Sequence, residues 1–204
     1  TVQLVDSNGQ PIDLQTRVEP DDYAPNSSIA NAEAGIALTA IGSAVAGADV
    51  YSRGISQGTT GSQVFSACSF VNSNNACSIY QTEWTGRTRQ LRIDFTSPVT
   101  TVSIDALSNN TADFGRLSIY DANDNLLGRY TTSALSTGQS ETMTLSRTDA
   151  DIAYAIAGGH SDTGVRLDNL RIGPASVAVS DQAGAFVMPN LPAGTYQVQV
   201  ATTN

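Results

Sequence analysis

Acidic side chains in two separate stretches of the sequence are candidate ligands for a metal ion. VEPDDY holds Glu19, Asp21 and Asp22, and VRLDNLRI holds Asp168. Ca²⁺ takes about six to eight oxygen ligands from carboxylates and backbone carbonyls, which such residues can supply. The alternative is that Asp21 and Asp22 cap a turn while Asp168 hydrogen-bonds to backbone, since the D-x-[DN]-x-[DN]-G loop is absent. A calcium ion here would have a structural role.

The stretch around Asp168 also predicts a β-bulge. Val165 and Leu167 share one face of a strand, whereas Leu170 and Ile172 have the opposite parity. A bulge near Asp168 would let all four apolar side chains point inward. Because a bulge re-aims the side chain at which it occurs, it fits a ligand role for this aspartate.

Catalytic residues are not indicated. His160, the only histidine, stands in GGHSDTG beside Ser161 and Asp162. Adjacent residues point apart, whereas a Ser-His-Asp triad needs side chains that converge from different segments, and the G-x-S-x-G elbow is missing. No pair of acids stands in a recognisable glycosidase context. We expect no enzyme activity, and we expect His160 in a solvated loop or at a binding edge.

A sugar site needs an exposed aromatic face beside planar polar groups. Trp84, the only tryptophan, is followed closely by Arg87, and Tyr80 lies on the same predicted strand. These three residues are the candidate sugar ligands. The alternative for Trp84 is the core, where the lone tryptophan of a β-sandwich is often found.

The two cysteines, Cys68 and Cys77, flank a stretch rich in Ser and Asn. C-x-x-C spacing is missing, which disfavours a metal site. We predict a disulfide that closes a surface loop, with two free thiols as the alternative. A disulfide indicates an oxidising compartment.

Composition and charge narrow the classes of partner. The chain has 204 residues, a net charge of −9 and a pI near 4.3, and its 10 basic residues are all Arg. This charge disfavours nucleic acid and anionic membranes and favours cations. No apolar run is long enough to span a bilayer, so membrane insertion is not expected.

Short apolar alternations between turn formers predict an all-β fold. Turns recur every eight to twelve residues or so, which favours a sandwich or jelly roll over a parallel sheet. Strands are expected near 2–5, 36–40, 63–66, 78–84, 89–95, 99–106, 115–121, 126–131, 141–146, 152–156, 164–172, 177–179, 186–188 and 196–200.

The two ends of the chain resemble one small unit. TVQLVDSNG and VSDQAGAFVMPNLPAGTYQVQV together are similar to the B-type repeats of collagen-adhesin-like bacterial surface proteins, a prealbumin-like sandwich. The resemblance implies that residues 1–14 and 174–204 form one sandwich, incomplete here because the family's first strand would precede Thr1. Residues 15–173 are then a domain inserted at a hairpin tip, where insertions are tolerated. The matching residues are Asp181, Gly184, Phe186, Asn190, Leu191, Gly194, Tyr196 and Val198.

The inserted part resembles the galactose-binding-like jelly rolls of carbohydrate-binding modules and exported bacterial surface proteins. The resemblance lies in AGIALTAIG, PVTTVSIDA, LSIYDANDNLLG and the two acidic stretches. The expected fold class is therefore all-β, a jelly-roll β-sandwich inserted into a small prealbumin-like β-sandwich. Such jelly rolls pair their first and last strands, which would bring Asp168 near Glu19, Asp21 and Asp22.

These resemblances imply a non-catalytic extracellular module of a bacterial surface or secreted protein. Its role would be adhesive, or structural within an array or filament, with calcium as a stabilising ion. The alternative is a carbohydrate-binding module of a larger secreted enzyme. Expected partners are a glycan or a neighbouring subunit, whose strand would complete an open sheet edge.

Overall fold

The computed structural model describes residues 1–174, 177–178, 180, 182–188, 191 and 194–200. Within these residues the chain forms 16 strands, one 3₁₀ turn at Pro20–Asp22 and no α-helix, and every strand pairing is antiparallel. The all-β prediction is confirmed. In chain order the strands are β1 (Val2–Val5), β2 (Thr16–Val18), β3 (Ile36–Ile41), β4 (Gly47–Gly54), β5 (Gln63–Val71), β6 (Cys77–Gln81), β7 (Trp84–Thr85), β8 (Gln90–Val99), β9 (Thr101–Ser108), β10 (Gly115–Tyr120), β11 (Leu126–Thr131), β12 (Ser140–Ser146), β13 (Ile152–Gly159), β14 (Gly164–Ile172), β15 (Val177–Ala178) and β16 (Gln197–Val200).

Four sheets organise these strands. The front sheet has the order β11-β10-β13-β8-β3, and the back sheet has the order β12-β9-β14-β2, with β7 paired to β14. A side sheet, β4-β5-β6, and a terminal sheet, β15-β1-β16, complete the described fold. Front and back sheets bury their inner faces in one core, as a β-sandwich requires.

Strict alternation explains which face of each front strand meets the core. In β8, Leu91 and Ile93 are fully buried while Arg92 and Asp94 remain partly exposed. Side chains alternate between the two faces of a strand, so polar residues at every second position leave the opposite face apolar. The outer face of the front sheet is consequently polar.

The predicted pairing of the two chain ends is confirmed. β1 lies between β15 and β16, with Val2 opposite Ala178 on one side and opposite Val200 on the other. Val2 and Leu4 are buried, but they are not members of the core shared by the front and back sheets. The division into an outer unit, 1–14 with 174–204, and an inserted domain, 15–173, stays a prediction.

The strands differ from the sequence-based expectation at three places, the first being β2, which was not expected. β4 was missed, because its buried positions include Ser52, which hides the apolar alternation. Residues 186–188 form no strand, and Phe186 and Val187 are exposed, because alternation alone does not provide a partner strand. Asp181 and Asn190, on which the B-type resemblance partly depends, lie outside the described residues.

A disulfide joins Cys68 in β5 to Cys77 in β6 and closes the hairpin between these strands. The prediction of a disulfide, rather than two free thiols, is confirmed. No helix among the described residues has the length and apolar character needed to cross a membrane.

Candidate metal site and basic pocket

Three of the predicted acidic ligands meet at one place in the fold. Glu19, Asp21 and Asp168 each bring a carboxylate oxygen within 4.8 Å of the others. Asp168 is fully buried, Glu19 is 5% exposed and Asp21 is half-buried. We call these three residues the acidic group. Asp22 is exposed and is not a member of it.

Strand pairing brings the acidic group together. β2 pairs with β14, placing Val18 opposite Leu170, so Glu19 leaves β2 beside the back sheet. The predicted bulge is present, because the register between β14 and β9 shifts after Asp168, and Asn169 adopts a positive φ of 51°. The bulge turns Asp168 toward the start of the 3₁₀ turn that carries Asp21.

The loop between β4 and β5 covers the acidic group, and its sequence, SQGTTGS, was not recognised as part of the site. Thr59 donates from its backbone N and its Oγ1 to Asp168 Oδ2, both at 2.8 Å. Thr60 Oγ1 donates to Glu19 Oε2 at 2.6 Å. Backbone N–H groups of residues 62 and 63 donate to Asp21. Two hydroxyl oxygens therefore stand beside the carboxylates as further possible ligands.

A glycine is required where this loop passes the acidic group. Gly61 has a φ of +62°, and a Cβ atom added to it would lie 2.5 Å from the carboxylate of Asp21. Only a residue without a side chain fits this approach and this backbone conformation. The signal that sequence reasoning missed was thus a Gly-Thr-Thr-Gly turn between two strands.

The acidic group has little positive charge near it. The pKa of Glu19 is raised to about 7, with burial as the largest cause and the charge of Asp168 acting in the same direction, against the lowering effects of the Thr60 hydroxyl and of Arg17. Within the part of the chain that the structure describes, Arg17 is the one basic residue in a salt bridge with the group, at 3.2 Å from Glu19 Oε2. Glu19 Oε1 is buried and accepts no hydrogen bond from any described residue. An unpartnered buried carboxylate oxygen is costly, and a cation would remove that cost.

The three candidate sugar ligands are not brought together. Trp84 is fully buried, and its Nε1 donates to the carbonyl of Phe65 at 3.0 Å, so it has no exposed face for a sugar ring. Tyr80 lies in the side sheet, edge-on to Tyr51 with ring centroids 5.2 Å apart. Arg87 lies elsewhere, strongly exposed, 3.4 Å from Asp162. The core alternative for Trp84 agrees with the structure, because two apolar sheets enclose the indole.

Arg87 belongs instead to a basic pocket on the outer face of the front sheet. This cavity of about 250 Å³ is formed by β10, β11, β13 and the loops beside them. Arg116 and Arg129 enter it from β10 and β11, and His160 enters it from the end of β13. The lining residues are Gly86, Arg87, Gln90, Arg116, Ser118, Tyr120, Arg129, Ile156, Gly159, His160 and Ser161.

Neutral hydrogen-bond partners hold the two arginines in the basic pocket. Arg116 Nη2 lies 3.0 Å from His160 Nε2, and its Nε donates to Thr131 Oγ1 at 3.2 Å. Arg129 Nε donates to Ser118 Oγ at 3.2 Å. Burial and then the charge of Arg129 lower the pKa of Arg116, and burial together with both arginines lowers the pKa of His160.

Comparison with known proteins yields no family assignment. No family model matches the chain, and no curated protein matches it. Among solved structures, the chain is similar to two cleaved adhesin domains of Lys-gingipain from Porphyromonas gingivalis. The K3 domain has 13% identity, a TM-score of 0.41 and coverage of 72% of this chain and 97% of that domain. The K1 domain has 12% identity, a TM-score of 0.39 and coverage of 78% and 98%.

A third similar structure is the enzymatically active domain of tailspike protein 4 of bacteriophage CBA120. It has 13% identity and a TM-score of 0.32, and the alignment covers 76% of this chain and 21% of that one. At such scores, no function passes from any of these proteins to this chain.

Proposed function

We propose that this chain is a non-catalytic, calcium-stabilised extracellular module of a bacterial surface or secreted protein, with an adhesive or structural role. The acidic group carries this proposal. Two of its carboxylates are buried, and one oxygen, Glu19 Oε1, has no hydrogen-bond partner among the described residues. Ca²⁺ prefers oxygen ligands, and here buried carboxylates supply them with one oxygen still unpartnered.

The setting supports calcium as the ion. The Cys68–Cys77 disulfide fits an oxidising, extracellular compartment. Calcium sites in extracellular modules commonly have dissociation constants of about 0.1–1 mM, which suits a site with few charged ligands. The ion would bind β2, the bulge in β14 and the loop between β4 and β5 to one another, which are the elements that supply the acidic group.

Thermal melting with and without calcium tests the proposal. We expect chelation to lower the melting temperature and added Ca²⁺ to restore it, because an ion that binds only the folded state stabilises that state by mass action. Asp21→Asn should weaken this response, while Asp22→Asn, the matched control outside the acidic group, should retain it. Melting that ignores both chelator and Ca²⁺ in the wild-type protein would refute the calcium site.

The terminal sheet supports an assembly role. β15 and β16 are its two edges, and Val198 and Val200 in β16 are 45% and 64% exposed. An edge strand with exposed apolar side chains is a template for a further strand, here one from a neighbouring subunit. Light scattering over a range of concentrations should show self-association of the wild-type chain and its loss in Val200→Lys. A wild-type protein that stays monomeric at every concentration contradicts this role.

The alternative is a carbohydrate-binding module of a larger secreted enzyme, which the basic pocket favours because it is concave and lined by several polar side chains. Glycan arrays separate the two functions. Saturable binding to one polysaccharide substrate class favours the module of an enzyme, whereas binding to host or cell-surface glycans favours adhesion.

A further inference from the structure

The basic pocket concentrates positive charge in an acidic protein. The chain carries a net charge of −9, yet three of its 10 arginines line this one cavity. Arg17, Arg92, Arg147 and Arg171 are each paired with a carboxylate elsewhere. Of the three that line the cavity, Arg87 pairs with Asp162 at 3.4 Å, whereas among the described residues neither Arg116 nor Arg129 forms a salt bridge, and no carboxylate is among the residues that line the pocket.

The contact between His160 and Arg116 indicates that the pocket presents hydrogen-bond donors to a ligand. A guanidinium has no acceptor, so the contact between Arg116 Nη2 and His160 Nε2 requires an unprotonated Nε2. Burial, and then the charges of the surrounding arginines, lower the pKa of His160. Both effects favour a neutral imidazole. The histidine therefore orients Arg116 without neutralising it, and its guanidinium keeps further N–H groups for a ligand.

The backbone around His160 is held in an uncommon conformation. Ser161 and Asp162 follow it with φ values of 53° and 66°, in the left-handed region that side chains disfavour. A Cβ atom at Gly86 would lie 2.5 Å from the carbonyl of Gly159, so the two loops meet through bare backbone at the edge of the pocket. Such conformations persist only where the surroundings enforce them, and they are frequent at binding sites.

We infer that the basic pocket binds the carboxylate or sulfate group of an acidic saccharide, with Arg116 and Arg129 as its principal ligands. Guanidinium groups recognise both anions through paired N–H donors. The cavity of about 250 Å³ is below the usual size for a whole drug-like ligand, which suits one charged sugar unit of a longer chain. The inference rests on the proposed adhesive function only in assigning the anion to a saccharide.

Aromatic and polar side chains next to the arginines favour a saccharide as the carrier. Tyr120 lines the pocket and stacks on Tyr154, with ring centroids 4.7 Å apart. Gln90 adds an amide that can donate and accept hydrogen bonds. An aromatic ring beside planar polar groups is the combination that sugar rings require, and here it borders the positive charge.

Calorimetric titration of the calcium-loaded protein tests this inference. The ligands are a uronic acid oligosaccharide, a sulfated oligosaccharide, the matched neutral oligosaccharide and free sulfate. We expect one or both acidic oligosaccharides to bind, with an affinity that falls as salt is added. Arg129→Gln should weaken binding by about tenfold or more, the loss expected for a charged hydrogen bond to an anion.

Two further variants complete the test. Arg116→Gln should weaken binding as Arg129→Gln does, whereas Arg147→Gln, with the same charge change on an arginine outside the pocket, should bind as the wild type does. Arg129 is exposed, so its variant is expected to keep the fold, which the melting temperature with calcium will verify.

Four results would overturn the inference. They are equal binding of the neutral oligosaccharide, no binding of either acidic one, wild-type affinity in both pocket variants, and free sulfate binding as tightly as the sulfated chain, which would indicate an adventitious ion only. If any of these appears while calcium still stabilises the same sample, the ligand assignment fails and the calcium-stabilised module stands.

Discussion

Replacing Glu19 by Gln should change how the stability of the calcium-free protein depends on pH. The folded-state pKa of Glu19, about 7, lies above the ordinary value of 4.5. Between these two pH values the folded protein therefore keeps a proton that the unfolded chain has lost. The contribution of Glu19 to stability is therefore fully present below pH 4.5 and is lost as pH rises through about 7. This direction is opposite to that of a carboxylate stabilised by a salt bridge.

The size of the effect follows from the same two values. The interval from 4.5 to about 7, at about 1.4 kcal/mol per pH unit, amounts to about 3 kcal/mol of lost stability above pH 7. For a protein of this length, about 3 kcal/mol corresponds to a fall in melting temperature of about 6–12 °C. Calcium should cancel most of that fall, since a free ion concentration a hundred times the dissociation constant stabilises by about 2.7 kcal/mol.

Melting curves in chelator and in excess Ca²⁺, over a pH series from about 5 to 8, measure both effects. We expect Glu19→Gln to be at least as stable as the wild type in chelator at the upper end of the series, and to respond weakly to calcium, because the amide avoids the buried charge and is a poorer ligand. Asp22→Asn, three residues away and exposed, is the matched control and should follow the wild type. A wild-type protein whose stability in chelator falls no more than that of Glu19→Gln across this range would refute the reasoning.

The remaining predictions concern the core, the disulfide and the basic pocket. Trp84→Ala should reduce the free energy of unfolding in urea by about 3–5 kcal/mol, because a fully buried indole is lost; an unchanged midpoint would contradict its place in the core. Replacing Cys68 and Cys77 together by Ser should cost about 2–3 kcal/mol by the same assay, and a cost near zero would mean that the short loop is restrained without the bond. The pKa of His160, measured by NMR, should lie below its usual 6.5, so the associated stability is present above pH 6.5 and is lost as pH falls; a value above 6.5 would show that the arginines do not face the imidazole.

The sequence predicted most strands because alternation and parity are local properties. The bulge at Asp168 could be predicted for the same reason, since Val165 and Leu170 cannot both face the core without a change of register. β4 could not be predicted from the sequence, because Ser52 occupies a buried position in it. The Ser52 hydroxyl donates to the carbonyl of Pro20 and to the side chain of Gln63, which are distant in sequence.

The candidate site was predicted only in part. Glu19, Asp21 and Asp168 were found from residue type and expected strand pairing, but Thr59 and Thr60 reach them through a loop whose path depends on the packing of the side sheet. Tertiary placement of this kind leaves no periodic signal in the sequence.

The basic pocket is a different case, because its two main arginines stand in strands that the sequence did predict. β10 and β11 form a hairpin around DANDN, and the register places Arg129 opposite Ser118, two residues from Arg116. Residues two apart in a strand share a face, so the buried Leu117 and Ile119 already direct Arg116 outward. Cross-strand register, rather than motif spacing, is the signal that would have revealed this site.

One strand links the two sites while keeping their chemistry apart. β14 contributes Asp168 to the acidic group, and its first residue, Gly164, follows the loop that carries His160 to the basic pocket. Four residues of extended strand separate Asp168 from Gly164, a span of about 13 Å along β14. The ladder of β14 with β9 is therefore a direct structural connection between the two ends of this strand. Since that ladder is formed on both sides of the bulge, we expect a cation at the acidic group to stabilise the sandwich without being required to shape the pocket.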